Sequence, residues 1–123
     1  MVYYTMYKKK VTEFEVQALV YQLLQTALSP LHYVVRGEYK FSVSLSTGAR
    51  AGAKRGCRPD LAVFQIRVGL DPRLLCVLEV KKSAVGRSTK QGERYSDLLE
   101  VPCLYIRGLA QAKQVVALIQ KYL

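Results

Sequence analysis

The strongest constraint on the fold is a pair of apolar runs, Asp60 to Gly69 and Leu74 to Val80, separated by the turn signal Asp71-Pro72. The first alternates, with Ala62, Phe64, Ile66 and Val68 on one face and Leu61 and Val63 on the other. The second is apolar on both faces, which suits a central strand covered from both sides. Charge sits at the ends of these runs: Arg58-Pro59-Asp60 opens the first, and Glu79-Val80-Lys81 closes the second, with Glu79 19 positions after Asp60. As neighbouring strands they bring two carboxylates and an ammonium together.

The other segments supply layers for that sheet. Val16, Leu19, Val20, Leu23, Leu24 and Ala27 form one stripe of a helix over residues 12–27. Thr12 and Glu15 make a capping box, and Ser29-Pro30 supplies the stop. Capping accounts for Glu15; Glu13 lies roughly 50° from the centre of the buried stripe, at the margin where it can look into a site. Tyr33 to Leu45 reads as one or two extended segments, split around Arg36-Gly37-Glu38. Ser46 to Cys57, with Gly48, Gly52 and Gly56 among Arg50, Lys54 and Arg55, reads as a loop, either simply solvated or in contact with substrate. Lys82 to Lys90 is a second polar loop. Ser88 to Glu100 has helical spacing, with Ser88 and Gln91 as a capping box. Val101 to Ile106 predicts a strand and Ala110 to Leu123 a helix whose Val115, Val116, Ile119 and Tyr122 cover the sheet. The predicted order is helix, three strands, helix, strand, helix, which implies one domain with a mixed sheet and helices on its faces.

Nineteen Lys and Arg against nine Asp and Glu leave +10 on 123 residues, a field that draws polyanions. Anionic membrane is the rival partner, but no apolar stretch approaches the length of a span, and Lys8-Lys9-Lys10 precedes an amphipathic helix instead of a secretory apolar segment. Cys57, Cys76 and Cys103 cannot all pair, none forms a Cys-x-x-Cys unit, and His32 is the single histidine. A structural zinc site is therefore not expected, and a reducing, intracellular (cytoplasmic) setting is.

Two carboxylates and a lysine suit phosphodiester chemistry. Mg2+, with Mn2+ as substitute, takes hard oxygen ligands such as Asp60 and Glu79; it neutralises charge developing on the phosphate and lowers the pKa of a water. Lys81 shares a strand face with Glu79 and can orient the nucleophile and stabilise the transition state. A general-base role would need a strongly depressed lysine pKa, and two neighbouring carboxylates push the other way. A strand-end salt-bridge cluster is the plain alternative for the trio.

Pro59-Asp60 followed by Glu79-Val80-Lys81 resembles the signature of the PD-(D/E)XK nuclease superfamily, whose restriction-endonuclease-like fold is a mixed central sheet flanked by helices. Gln91-Gly92-Glu93-Arg94-Tyr95 also resembles the Gln-x-x-x-Tyr element of a RecB-like branch. The resemblance implies metal ligation by Asp60, Glu79 and the main-chain carbonyl of Val80, with Glu13 completing the site and Lys81 assisting the nucleophile. Gln91 and Tyr95 would line it from the helix above; Gln91 has capping as its other explanation, and Tyr95 a place in the core. Small size and the Gly-rich basic stretch are similar to Holliday-junction resolvases and small homing endonucleases of this fold. The implied activity is hydrolysis of DNA to 5'-phosphate and 3'-hydroxyl ends, on branched or mobile-element DNA, by a homodimer or higher homo-oligomer. Arg50, Lys54, Arg55, Arg58, Lys82, Arg87 and Lys90 are the candidate phosphate contacts. The alternative is a non-catalytic nucleic-acid-binding module, or an accessory subunit, of the same fold.

Overall fold

A computed structural model describes residues 12–44, 52, 54–81 and 90–123. Helix α1 (Glu13–Ala27) is followed by strands β1 (Tyr33–Gly37), β2 (Phe41–Ser44), β3 (Lys54–Cys57), β4 (Leu61–Gln65) and β5 (Arg73–Lys81). Then come α2 (Lys90–Leu99), β6 (Cys103–Arg107), α3 (Gly108–Lys113), α4 (Val115–Ile119) and a 3-10 turn at Gln120–Tyr122. The main sheet has the order β1-β4-β5-β6, with β1, β4 and β5 antiparallel in sequence and β6 parallel to β5. The mixed sheet with flanking helices is as the sequence predicts.

Helix α1 starts where Thr12 Oγ1 accepts from the Glu15 amide (3.1 Å) and Glu15 Oε2 accepts from the Thr12 amide (3.4 Å). It buries Val16, Val20 and Leu24 on the sheet face that carries Val35, Leu61, Val63, Cys76, Leu78, Val80 and Ile106. Each such aliphatic side chain contributes about 1.5–3 kcal/mol on burial. Helices α3 and α4 close the same layer through Ala112, Val115 and Ile119, packed on α1. The expected single C-terminal helix is interrupted at Gln114, whose φ of −101° and ψ of 6° leave the α region, so the chain makes two short helices.

The opposite face, which carries Phe64, Glu79 and Tyr105, is flanked by a hairpin and by α2. The extended segment predicted over 33–45 is divided between two sheets: β1 edges the main sheet, whereas β2 pairs with β3 as a separate antiparallel ribbon. Glu38 makes the break in the left-handed region (φ 51°), and its amide donates to the Asp60 carbonyl at 2.9 Å. Strand β3 corrects the loop reading of residues 46–57, since Lys54 to Cys57 pair with Phe41 to Ser44. Tyr39, Phe41 and Phe64 hold the ribbon to the sheet, with ring centroids 4.8 to 6.0 Å apart. Strand β4 is shorter than its apolar run: Ile66 is only partly covered, Val68 is fully exposed, and the register slips between Val63 and Phe64. Lys8-Lys9-Lys10, residues 45–51 and 53 of the Gly-rich stretch and its approach, and the 82–89 loop with its Ser88 cap lie outside the described residues. Among the described residues no helix is long and apolar enough to cross a membrane.

Gly92 brings α2 against β6. A Cβ there would overlap the hydroxyl and ring of Tyr105. Ordinary helix propensity favours Ala over Gly by about 1 kcal/mol, and overpacking costs about 1–3 kcal/mol. Gly92→Ala is expected to lower stability in urea unfolding, whereas the same change in a Tyr105→Ala background is expected to raise it. A change of the same sign in both backgrounds would contradict the close contact.

Candidate metal and phosphate site

Three side chains that the sequence singles out, Asp60, Glu79 and Lys81, converge where β4 begins and β5 ends. Asp60 stands one residue before the Leu61–Leu78 pair, beside Glu79. Its Oδ2 accepts from the Val80 amide at 2.7 Å. Its carbonyl accepts from the Glu38 amide at 2.9 Å and from Gln17 Nε2 at 3.2 Å. Pro59, fully buried, fixes the approach: it carries no N–H needing a partner and biases Arg58 toward an extended conformation. Asp60 is thereby tied to α1, to the end of β1 and to β5.

Glu79 lies on the β5 face opposite α1 and is only 4% exposed. Its Oε1 is buried and has no hydrogen-bond partner among the described residues. Burial first, and then the Asp60 charge, push its pKa up to about 7. Burial raises Asp60 as well, against the Val80 amide and the Lys81 ammonium, which favour its ionised form. The two carboxyls interact directly, and burial together with the Asp60 charge favours the protonated form of Glu79. Lys81 acts electrostatically on both.

Glu13, at the start of α1, acts on Asp60 through its charge. It does not complete a cluster: among the described residues no group of three or more His, Cys, Asp and Glu is arranged to hold a metal ion. For the divalent cation that the sequence resemblance implies, the test is whether the residues present would fit one. They do in two respects: a buried carboxylate oxygen is left without a donor, and two carboxylates stand together where only a proton or a cation can relieve them. Asp60 and Glu79 are the side chains that would hold it.

Gln91 and Tyr95, four apart on α2, share a face as expected, and Gln91 Nε2 donates to Tyr95 Oη at 2.6 Å. Tyr95 is buried and lines a cleft of about 340 Å³ with Lys40, Gly56, Cys57 and Arg58. Arg58 is exposed there. Of the other predicted phosphate contacts, Arg50, Lys82 and Arg87 lie outside the described residues, and only the backbone of Lys54, Arg55 and Lys90 is described.

Sequence reasoning missed three neighbours of the site. Gln17, four residues after Glu13 on α1, was legible as a polar position on the same helical face. Tyr105 and Arg107 were not, because they adjoin Glu79 and Lys81 only through the parallel β5–β6 register. The Arg107 guanidinium lies 5.4 Å from the Tyr105 ring centroid. No protein-family model, curated protein or solved structure matches the chain.

The raised pKa of Glu79 sets a pH dependence. Glu79 has a folded pKa of about 7 against 4.5 for the free side chain, so its share of stability is fully present below about 4.5 and is lost as pH rises through 7. In chelator, Glu79→Gln is expected to melt above the wild type at pH 8, and the difference is expected to close by pH 5. A pH-independent difference in melting temperature would contradict the buried, proton-holding carboxyl.

Proposed function

We propose that the chain is a divalent-metal-dependent nuclease of the PD-(D/E)XK type that hydrolyses phosphodiester bonds in DNA, with Asp60, Glu79 and Lys81 at its centre. The observation that carries this reading is the buried Glu79 carboxyl, with one oxygen that has no hydrogen-bond partner among the described residues, beside Asp60 and Lys81 at the end of a central strand. A salt-bridge cluster that existed only for stability would leave no such orphan, because a buried polar atom without a partner costs about 1–3 kcal/mol. The strand order and the helices on both sheet faces agree with a restriction-endonuclease-like fold. The charge of +10 agrees with a polyanionic substrate.

When bound, Mg2+ or Mn2+ would supply Lewis-acid stabilisation of the phosphate and acidify a water. The chain's own residues do the rest. Asp60 and Glu79 would hold the cation, and Asp60 is kept in place by the Val80 amide at its side chain and by Glu38 and Gln17 at its carbonyl. The carbonyl of Val80 is the further oxygen that the resemblance offers. Lys81 presents its ammonium to the non-bridging oxygen and to the nucleophile, where charge develops. Glu13 adds negative charge near Asp60 from α1. Gln91 bridges to Tyr95 on the helix above. Cutting both strands of a duplex together requires two such sites, and hence a homodimer or higher homo-oligomer.

The test is cleavage of end-labelled duplex, nicked, flapped and four-way DNA in Mg2+ and then Mn2+. Asp60→Ala and Glu79→Ala are expected to abolish cutting, and Lys81→Ala to slow it by about 10²–10³-fold, with DNA binding retained. In parallel, Mn2+ is expected to raise the melting temperature of the wild type and not that of Glu79→Gln, a readout independent of turnover. Binding without cutting on every substrate, with no thermal response to the cation, would leave the non-catalytic nucleic-acid-binding module.

A further inference from the structure

The cleft between the β2–β3 hairpin and α2 has a composition that the catalytic reading does not require. Among the described residues its lining combines the cations Lys40 and Arg58 with Gly56, Cys57 and Tyr95, without a carboxylate. The second cleft on the same side, about 410 Å³, is different in kind: Val34, Tyr39, Phe64 and Pro72 surround Arg36, and Asp71 offsets the charge.

Three features make the first cleft a receptor for an anion. Lys40 passes over Gly56: a Cβ on the glycine would stand 3.9 Å from Lys40 Cε, at van der Waals distance from the lysine stem. Arg94 of α2 donates from Nη2 to the Gly56 carbonyl (3.4 Å), which satisfies that acceptor and brings a third cation to the rim. Tyr95 lines the cleft, and its Oη accepts from Gln91 Nε2, which leaves the phenolic proton available to an acceptor other than Gln91. Charge-assisted donors from two cations and a hydroxyl suit the non-bridging oxygens of a phosphate. Arg58 is two residues from Asp60, at most about 7 Å along the chain.

We infer that this cleft binds a backbone phosphate of the nucleic acid adjoining the scissile one, held by Lys40 and Arg58 with the Tyr95 hydroxyl. The inference rests on the nucleic-acid reading of the Asp60–Glu79 site. It makes α2 and the hairpin the two walls of a track along the substrate strand, and it gives Lys40, which is remote from Asp60 in sequence, a place beside Arg58.

The experiment is equilibrium binding of the full chain to a short labelled DNA duplex, without divalent cations, over a series of salt concentrations. Lys40→Ala, Arg58→Ala, the double variant and Lys121→Ala, a cation following α4 on the α1 side of the sheet, are compared with the wild type. One phosphate shared by two cations predicts that the double variant loses about tenfold in affinity. Its slope of log affinity against log salt falls by roughly 0.9, and Lys121→Ala leaves both unchanged. Arg58→Lys, which keeps the charge, is expected to retain most of the slope. Both side chains are exposed, and circular dichroism checks that the variants fold.

A double variant that binds like the wild type overturns the inference, as does a slope loss of roughly 1.8, which would mean two separate phosphates and no common pocket. So does a wild type that binds no DNA. Inorganic phosphate, titrated by itself, separates the sources: binding that needs Lys40 and Arg58 while the DNA isotherms do not would make this a free-phosphate site and overturn the nucleic-acid assignment. Cleavage in Mg2+ keeps the two readings apart. DNA binding with the expected dependence but without cuts sinks the nuclease and leaves the pocket. Cuts with unaltered affinity in the double variant do the reverse.

Discussion

The site depends on how Asp60 is held. A carboxylate at the mouth of a sheet would ordinarily sample several rotamers, but here its side chain takes the Val80 amide while its carbonyl takes donors from Glu38 and Gln17. Main-chain and side-chain groups of one residue thus join the start of β4 to the end of β5, to the exit of β1 and to α1. Glu79 is the counterpart, fixed by burial in the central strand and by its side-chain interaction with Asp60. Preorganisation of this kind costs stability locally, since two carboxyls are kept close and largely dry. The core beneath them, Leu61, Leu78 and Val80 packed against Val16 and Val20, offsets that cost.

The architecture was legible to the extent that side-chain period and caps determine it. Val16, Val20 and Leu24 at helical spacing, and the Thr12–Glu15 box, specify α1 to within a residue. The run from Leu74 to Val80, apolar on both faces, lies inside the sheet as its pattern demands. What periodicity does not encode is which strand pairs with which. Tyr39, Phe41 and Val43 alternate as a strand should, but nothing in that alternation says that β2 leaves the main sheet, because the break rests on one left-handed residue, Glu38, of a type that seldom adopts it. Lys54 to Cys57 has almost no apolar signal and becomes a strand through its partner alone.

The same distinction divides the site. Asp60, Glu79 and Lys81 were readable because strand ends and the period of two predict where they meet. Gln91 and Tyr95 were readable as an i, i+4 pair. Tyr105 and Arg107 come to the site through the parallel register of β6, and Lys40 through the fold of the hairpin, so no local spacing could announce them. Their roles follow from tertiary pairing, which the sequence specifies only through the whole chain.

The β2–β3 hairpin has both of its roots at one residue. The incoming root, Glu38, donates to the Asp60 carbonyl, and the outgoing root is Arg58-Pro59, covalently continuous with it. Mechanically this is a cantilever clamped at Asp60. The connection between the two strands can therefore change in length at little entropic cost, since loop closure grows only logarithmically, while the clamp stays unchanged. A chain built this way can trial new contacts at the tip of the hairpin without redesigning the residues at its base.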